Sequence, residues 1–134
     1  MKMLTAPIIR QLKKTGNTDG TEVSPVIVKF FQPWGSWTWY AVDGVELPDG
    51  DWEFFELVEG LETELGYFRL SELMSVTGPG GLKIERDLHF HGYVLDKNTN
   101  VVRRADDEMS LMHATEVSSA EVSRALRDRD REND

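Results

Sequence analysis

The sequence predicts a single α+β domain: a small antiparallel sheet with an N-terminal helix, a short central helix and a C-terminal helix. Three observations predict it. Apolar residues near the two ends recur at helical spacing, the middle of the chain alternates β-branched and aromatic residues with polar ones, and Gly and Pro clusters punctuate both. A chain of 134 residues with 40% hydrophobic content is long enough for one core and too short for two ordinary domains.

Thr5 reads as a helix N-cap, and Pro7 falls in the first turn, where a missing N–H costs nothing. Ile8, Ile9 and Leu12 share one face before Lys13, Lys14 and Gly16 close the helix. The run Gly16-Asn17-Thr18-Asp19-Gly20-Thr21 supplies turn conformations and reads as a loop. Val26 to Phe31 and Trp37 to Val42 then form a hairpin across Pro33-Trp34-Gly35-Ser36. After a polar connection from Val45 to Gly50, strand character resumes from Trp52 to Val58 and ends at Gly60. Leu61 to Gly66 is short and acidic, Tyr67-Phe68 reads as a brief strand, and Ser71-Glu72-Leu73 begins a helical turn stopped by Gly78-Pro79-Gly80-Gly81.

Ile84 to Val94 alternates again and predicts a fourth strand, with Leu88, Phe90 and Gly92 on one face and Asp87, His89, His91 and Tyr93 on the other. The domain is expected over residues 1–95, followed by a polar connection over 96–117. Ser118-Ser119-Ala120-Glu121 has the form of a capping box, so residues 118–134 read as a final helix with a charged end.

Composition excludes several classes of function. There is no cysteine, hence no disulfide framework, thiolate metal site or cysteine nucleophile. No apolar run reaches the length of a membrane span, and Met1 to Pro7 reads as helix rather than signal sequence, so the expected location is cytoplasmic. A net charge of -9 argues against direct nucleic-acid binding, which needs clustered Lys and Arg. The charge is uneven. From Phe30 to Phe68 there is no Lys or Arg, while Asp43, Glu46, Asp49, Asp51, Glu53, Glu56, Glu59, Glu62 and Glu64 all fall there.

Five runs of residues carry a resemblance. Ser36 to Ala41 (SWTWYA), Phe54 to Gly60 (FFELVEG), Glu64 to Leu73 (ELGYFRLSEL), and Gly78 to Leu82 (GPGGL) with Ile84 to Leu88 (IERDL) are similar, in order and spacing, to an uncharacterised bacterial family of unknown function. The resemblance covers roughly residues 4 to 91. That family is met mostly on plasmids, phages and integrative elements, which implies a setting of element maintenance or evasion of host defence, and no established activity.

Candidate chemistry is sparse. Gly78 to Gly81 lacks the Lys-Ser or Lys-Thr ending of a phosphate loop, and neither a nucleophile elbow nor a zinc-protease motif occurs. No cofactor is assigned. Asp87, His89 and His91 form a weak candidate metal set, because alternate strand residues project to one side, but two strand histidines are more often solvated surface groups. Glu64 and Tyr67 with Glu85, Arg86 and Asp87 could make a polar site, in which Arg86 pairs an anion and a glutamate acts as base; a structural ion pair is the plainer account of Arg86.

Trp34, Trp37, Trp39 and Trp52 form the densest aromatic cluster, and four are more than one small core needs, so one or two are expected to be exposed, Trp34 in its turn first among them. With Glu53, Glu56, Glu59 and Glu62 they would give an anionic, aromatic surface for a basic protein partner. The expected function is therefore a noncatalytic acidic interaction protein of a mobile element that modulates a host nucleic-acid-handling or defence protein. The alternative is a small enzyme or ligand-binding domain with a polar cleft around Glu64, Tyr67, Arg86, Asp87, His89 and His91.

Overall fold

The computed structural model describes residues 1–106. Helix α1 spans Ala6–Thr15, capped by the Thr5 side chain accepting from the Ile8 N–H at 3.5 Å. Eight strands follow: β1 Val23–Pro25, β2 Val28–Phe31, β3 Thr38–Glu46, β4 Trp52–Glu59, β5 Thr63–Arg69, β6 Glu85–Arg86, β7 Tyr93–Asp96 and β8 Val101–Arg104. A second helix, α2 (Leu70–Ser75), and a 3₁₀ turn at Pro79–Gly81 lie between β5 and β6. The strands form two antiparallel sheets, a five-stranded one ordered β5-β4-β3-β2-β6 and a three-stranded one ordered β1-β7-β8.

The larger sheet is covered on both faces because its strands are apolar on both. Phe30, Trp39, Ala41, Trp52, Phe54 and Val58 point to one face, where Leu12 of α1 and Leu73 of α2 complete a core with Met3 and Ile84. On the other face Val42 and Leu57 pack with Val26 and with Leu95 of the smaller sheet. The chain steps between sheets at Val26 and Ile27: the first N–H donates to Tyr93 O at 2.9 Å, the next to Ala41 O at 2.8 Å. Pro25, without an N–H, ends β1 at this corner.

Two glycines of the family-like runs act as platforms for tryptophan. A Cβ on Gly60 would sit 2.5 Å from the Trp37 ring, and one on Gly78 would collide with the Trp34 ring. Only hydrogen leaves room for these flat contacts. Trp34 and Trp37 thereby pack, partly buried, against the helix-side core.

Several sequence expectations change. The single small sheet becomes two. The brief strand at Tyr67-Phe68 is the seven-residue β5, which starts at Thr63. The expected strand from Ile84 to Val94 is broken into β6 and β7, in different sheets. The Asp87 carboxylate accepts the His89 N–H at 2.9 Å, an Asx turn, and Gly92 adopts φ 79; both interrupt extended backbone. The polar connection expected from residue 96 carries β8, which pairs with β7 across the 95/96 boundary. The predicted C-terminal helix lies outside the described residues.

Candidate functional site

A concave feature grows from an irregularity in β3. Its register with β4 passes from Ala41↔Glu56 directly to Asp43↔Phe55, so Val42 is an extra residue and both Val42 and Asp43 are buried. Asp43 Oδ2 accepts from the Thr18 N–H at 2.9 Å and the Thr18 hydroxyl at 2.6 Å. Lys97 Nζ in turn donates to Thr18 O at 2.6 Å and Oγ1 at 3.0 Å, and lies 5.4 Å from the Phe55 ring centre. This charge-assisted network pins the loop after α1 to the bulge and to the end of β7.

Beside the pinned loop lies a groove of about 580 Å³. Val45 and Tyr67 give it exposed apolar surface over a floor of buried Leu12 and Trp52, and Asp19, Asp43, Glu46 and Glu53 line it with acid, with Lys13 as the cation of the lining. Trp52 is stacked on Phe54 with ring centres 6.4 Å apart, and Tyr67 meets Phe55 edge-on at 5.1 Å. These contacts fix the aromatic lining without long flexible side chains. Glu53 is paired loosely with Arg69 at 3.9 Å, while Val45 and Tyr67 remain 56% and 61% exposed. The chemistry offered is apolar contact with an anionic rim.

The residues singled out in the sequence do not form one surface. Trp39 and Trp52 are core residues, 5% and 4% exposed, and Glu56 is fully buried, so Trp39 and Glu56 cannot present themselves as docking groups and Trp52 contributes only as the floor of the groove. The cause is strand alternation: Trp52, Phe54, Glu56 and Val58 all point under the helices. Trp34 is half-buried against Gly78 rather than exposed. Glu53 lines the groove, Glu59 sits beside Tyr40, and Glu62 is exposed in the turn before β5.

Nor do the residues of the alternative polar cleft converge. Glu64 and Tyr67 lie on β5 while Glu85 and Arg86 lie on β6, the opposite edges of the five-stranded sheet, about 19 Å apart at ordinary strand spacing. Arg86 Nε donates to Lys2 O at 3.1 Å, a structural bond to the N-terminal segment. Asp87 pairs with Lys29 at 3.5 Å. His89 and His91 are exposed in the turn between β6 and β7, not on one strand face. Among the described residues no three His, Asp or Glu gather to hold a metal ion.

Two titratable groups are strongly perturbed. Burial, then the nearby Glu59 carboxylate, pushes the Tyr40 hydroxyl up to about 12. Tyr40 belongs to an aromatic cluster with Phe90 and Tyr93, the last two stacked at 4.3 Å, with Lys29 Nζ 5.2 Å from the Phe90 ring centre. The cluster secures the turn from Asp87 to Gly92 to the sheet. Burial, then the charge of Glu72, raises the Glu56 carboxyl well above the usual range. Among the described residues neither Glu56 oxygen has a hydrogen-bond partner, and the buried Trp39 Nε1 has none either.

The groove itself was not legible as a site. Asp19, Asp43 and Glu46 are ordinary acids in the sequence, and the pairing of Thr18 with Asp43 spans 25 residues. The signals available were the Asn17-Thr18-Asp19 loop after a helix end and the acidic stretch around Trp52.

No helix among the described residues is long and apolar enough to cross a membrane. Neither the curated proteins nor the solved structures yield a match to the chain. A family profile does match, over residues 1–109, further toward the C-terminus than the runs from Ser36 to Leu88 require. The chain belongs to the family described as Protein of unknown function (DUF2958).

Proposed function

We propose that this protein is a noncatalytic interaction protein whose acidic groove receives a basic segment of a partner protein. The observation that carries the reading is the lining: exposed Tyr67 and Val45 beside Asp19, Glu46 and Glu53, in one groove floored by the buried Trp52 and Leu12. Aromatic and aliphatic surface supplies the anchor pocket, and the carboxylates steer cationic side chains toward it. A net charge of -9 reinforces that steering over the whole molecule.

The partner class whose chemistry complements the groove is a nucleic-acid-handling protein, since such proteins carry the Lys- and Arg-rich surfaces that bind phosphate. Occupying such a surface would inhibit or modulate it. The resemblance to proteins of plasmids, phages and integrative elements supports a host nucleic-acid-handling or defence protein as the target.

The test is fluorescence anisotropy with a labelled Lys/Arg-rich peptide bearing one Leu or Trp anchor, against an acidic peptide with the same anchor. The basic peptide is expected to bind and the acidic one not. Reversing Asp19, Glu46 and Glu53 to Lys in a folded variant should weaken binding by about tenfold or more, equivalent to about 1.4 kcal/mol. Raising the salt should erode the affinity, because rim charges are screened. Unchanged affinity in the triple variant would sink the reading.

A further inference from the structure

We infer that the partner segment binds as an added strand on the outer edge of β5, an inference that rests on the groove reading and specifies how the segment lies. The four sheet edges differ in how they are protected. β6 is two residues long, β1 is three and ends in Pro25, and β8 is four and carries Arg103 and Arg104. Short length, Pro and cationic side chains are the usual protections against edge pairing. β5 has none of these along its middle. It runs seven residues, about 23 Å, in unbroken register with β4 from Glu59↔Thr63 to Glu53↔Arg69, without a bulge, Lys or Pro.

Among the described residues β4 is the sole partner of β5. Its outer edge therefore offers main-chain donors and acceptors at alternate residues, the template used when an extended peptide extends a sheet. Two features choose the occupant. Glu64 on the strand and Glu62 just before it are exposed, so an incoming strand with Lys or Arg at alternating positions is favoured over an acidic or neutral one. Tyr67, 61% exposed, belongs both to β5 and to the groove lining, so a strand laid on this edge passes directly along the groove. The occupant is an extended basic segment whose alternate apolar residues reach the groove.

Two probes separate main-chain pairing from charge docking: a short alternating Lys/Val peptide, and the same peptide N-methylated at alternate residues. The charge and side chains are equal, but the second cannot pair on its methylated edge. The unmodified peptide should slow hydrogen exchange at backbone amides within Thr63–Arg69, and N-methylation should weaken binding by about tenfold or more through loss of roughly three main-chain bonds. Glu64→Lys, at an exposed position, should weaken it as well.

Equal binding of both peptides, with exchange slowed only around the groove, overturns strand addition and leaves the groove reading standing. No binding of either peptide overturns both. Slowed exchange at β5 in protein alone that grows with protein concentration assigns the edge to a second copy of the chain, and slowed exchange lost on deleting residues 107–134 assigns it to the chain's own C-terminal part. Either result overturns the inference.

Discussion

The two faces of the five-stranded sheet treat a buried carboxylate in opposite ways. On the face covered by the smaller sheet, Asp43 is satisfied by the Thr18 amide and hydroxyl, and Lys97 closes the network. On the helix-covered face, Glu56 is fully buried, has no hydrogen-bond partner among the described residues, and feels the like charge of Glu72. The first arrangement builds a wall of the groove. The second favours the protonated form of Glu56 and so makes the stability of the helix side depend on pH. Burial alone therefore does not say what an acid contributes; its partners do.

The largest effects should come from the cores that create the two faces. Phe54→Ala, on the helix face between Phe30 and Trp52, should cost about 3–5 kcal/mol in urea unfolding, and Leu57→Ala, on the other face, about 2–5 kcal/mol. Two-state unfolding of both variants with the same slope would show that the faces melt as one unit.

Asp43→Ala comes next. It strands the buried Thr18 amide and takes the acceptor from the Thr18 hydroxyl, and should cost about 2–3 kcal/mol by the same measurement. It should also loosen the groove wall, visible as faster hydrogen exchange at the Thr18 amide.

Glu56→Gln should act in the other direction at neutral pH. The folded-state pKa of Glu56 lies above its unfolded value of 4.5, so its protonated form stabilises the fold fully below that value. Stability is lost as pH rises from 4.5 through the folded pKa, by about 1.4 kcal/mol per pH unit over that interval. Unfolding curves collected across this range should slope downward for the natural protein and run flatter for Glu56→Gln. Identical slopes would show that Glu56 is ionised in the folded chain.

The smallest stability effect belongs to the rim. Reversing Glu46 and Glu53 should change stability by no more than about 0.5 kcal/mol each, because both are surface charges, while still weakening peptide binding. That separation distinguishes groups that hold the fold from groups that meet a partner.

Much of the fold was legible in the sequence because it depends on local signals. Thr5, Pro7 and Gly16 bound α1, and the hairpin of β2 and β3 follows from alternation around a Pro-Gly turn. The division of Ile84 to Val94 was not legible, since its alternation continues through an Asx turn that only the Asp87 carboxylate reveals. The acidic stretch was visible as composition, but its distribution was not. Strand parity sends Glu56 inward and Glu53 outward, and a bulge at Val42 decides where Asp43 points. The sequence marks Trp39 and Trp52 both as core material and as candidates for a partner surface; both are core, with Trp52 also flooring the groove.

The measurement that tests the central claim most directly is a two-dimensional amide NMR titration of the full chain with the anchored basic peptide. Binding in the acidic groove predicts saturable shifts at Asn17, Asp19, Val45, Glu46, the Trp52 indole and Tyr67, with Thr77 and Lys83, outside the groove lining, unmoved. Shifts centred away from these groove residues, or none at all at low salt, would contradict it.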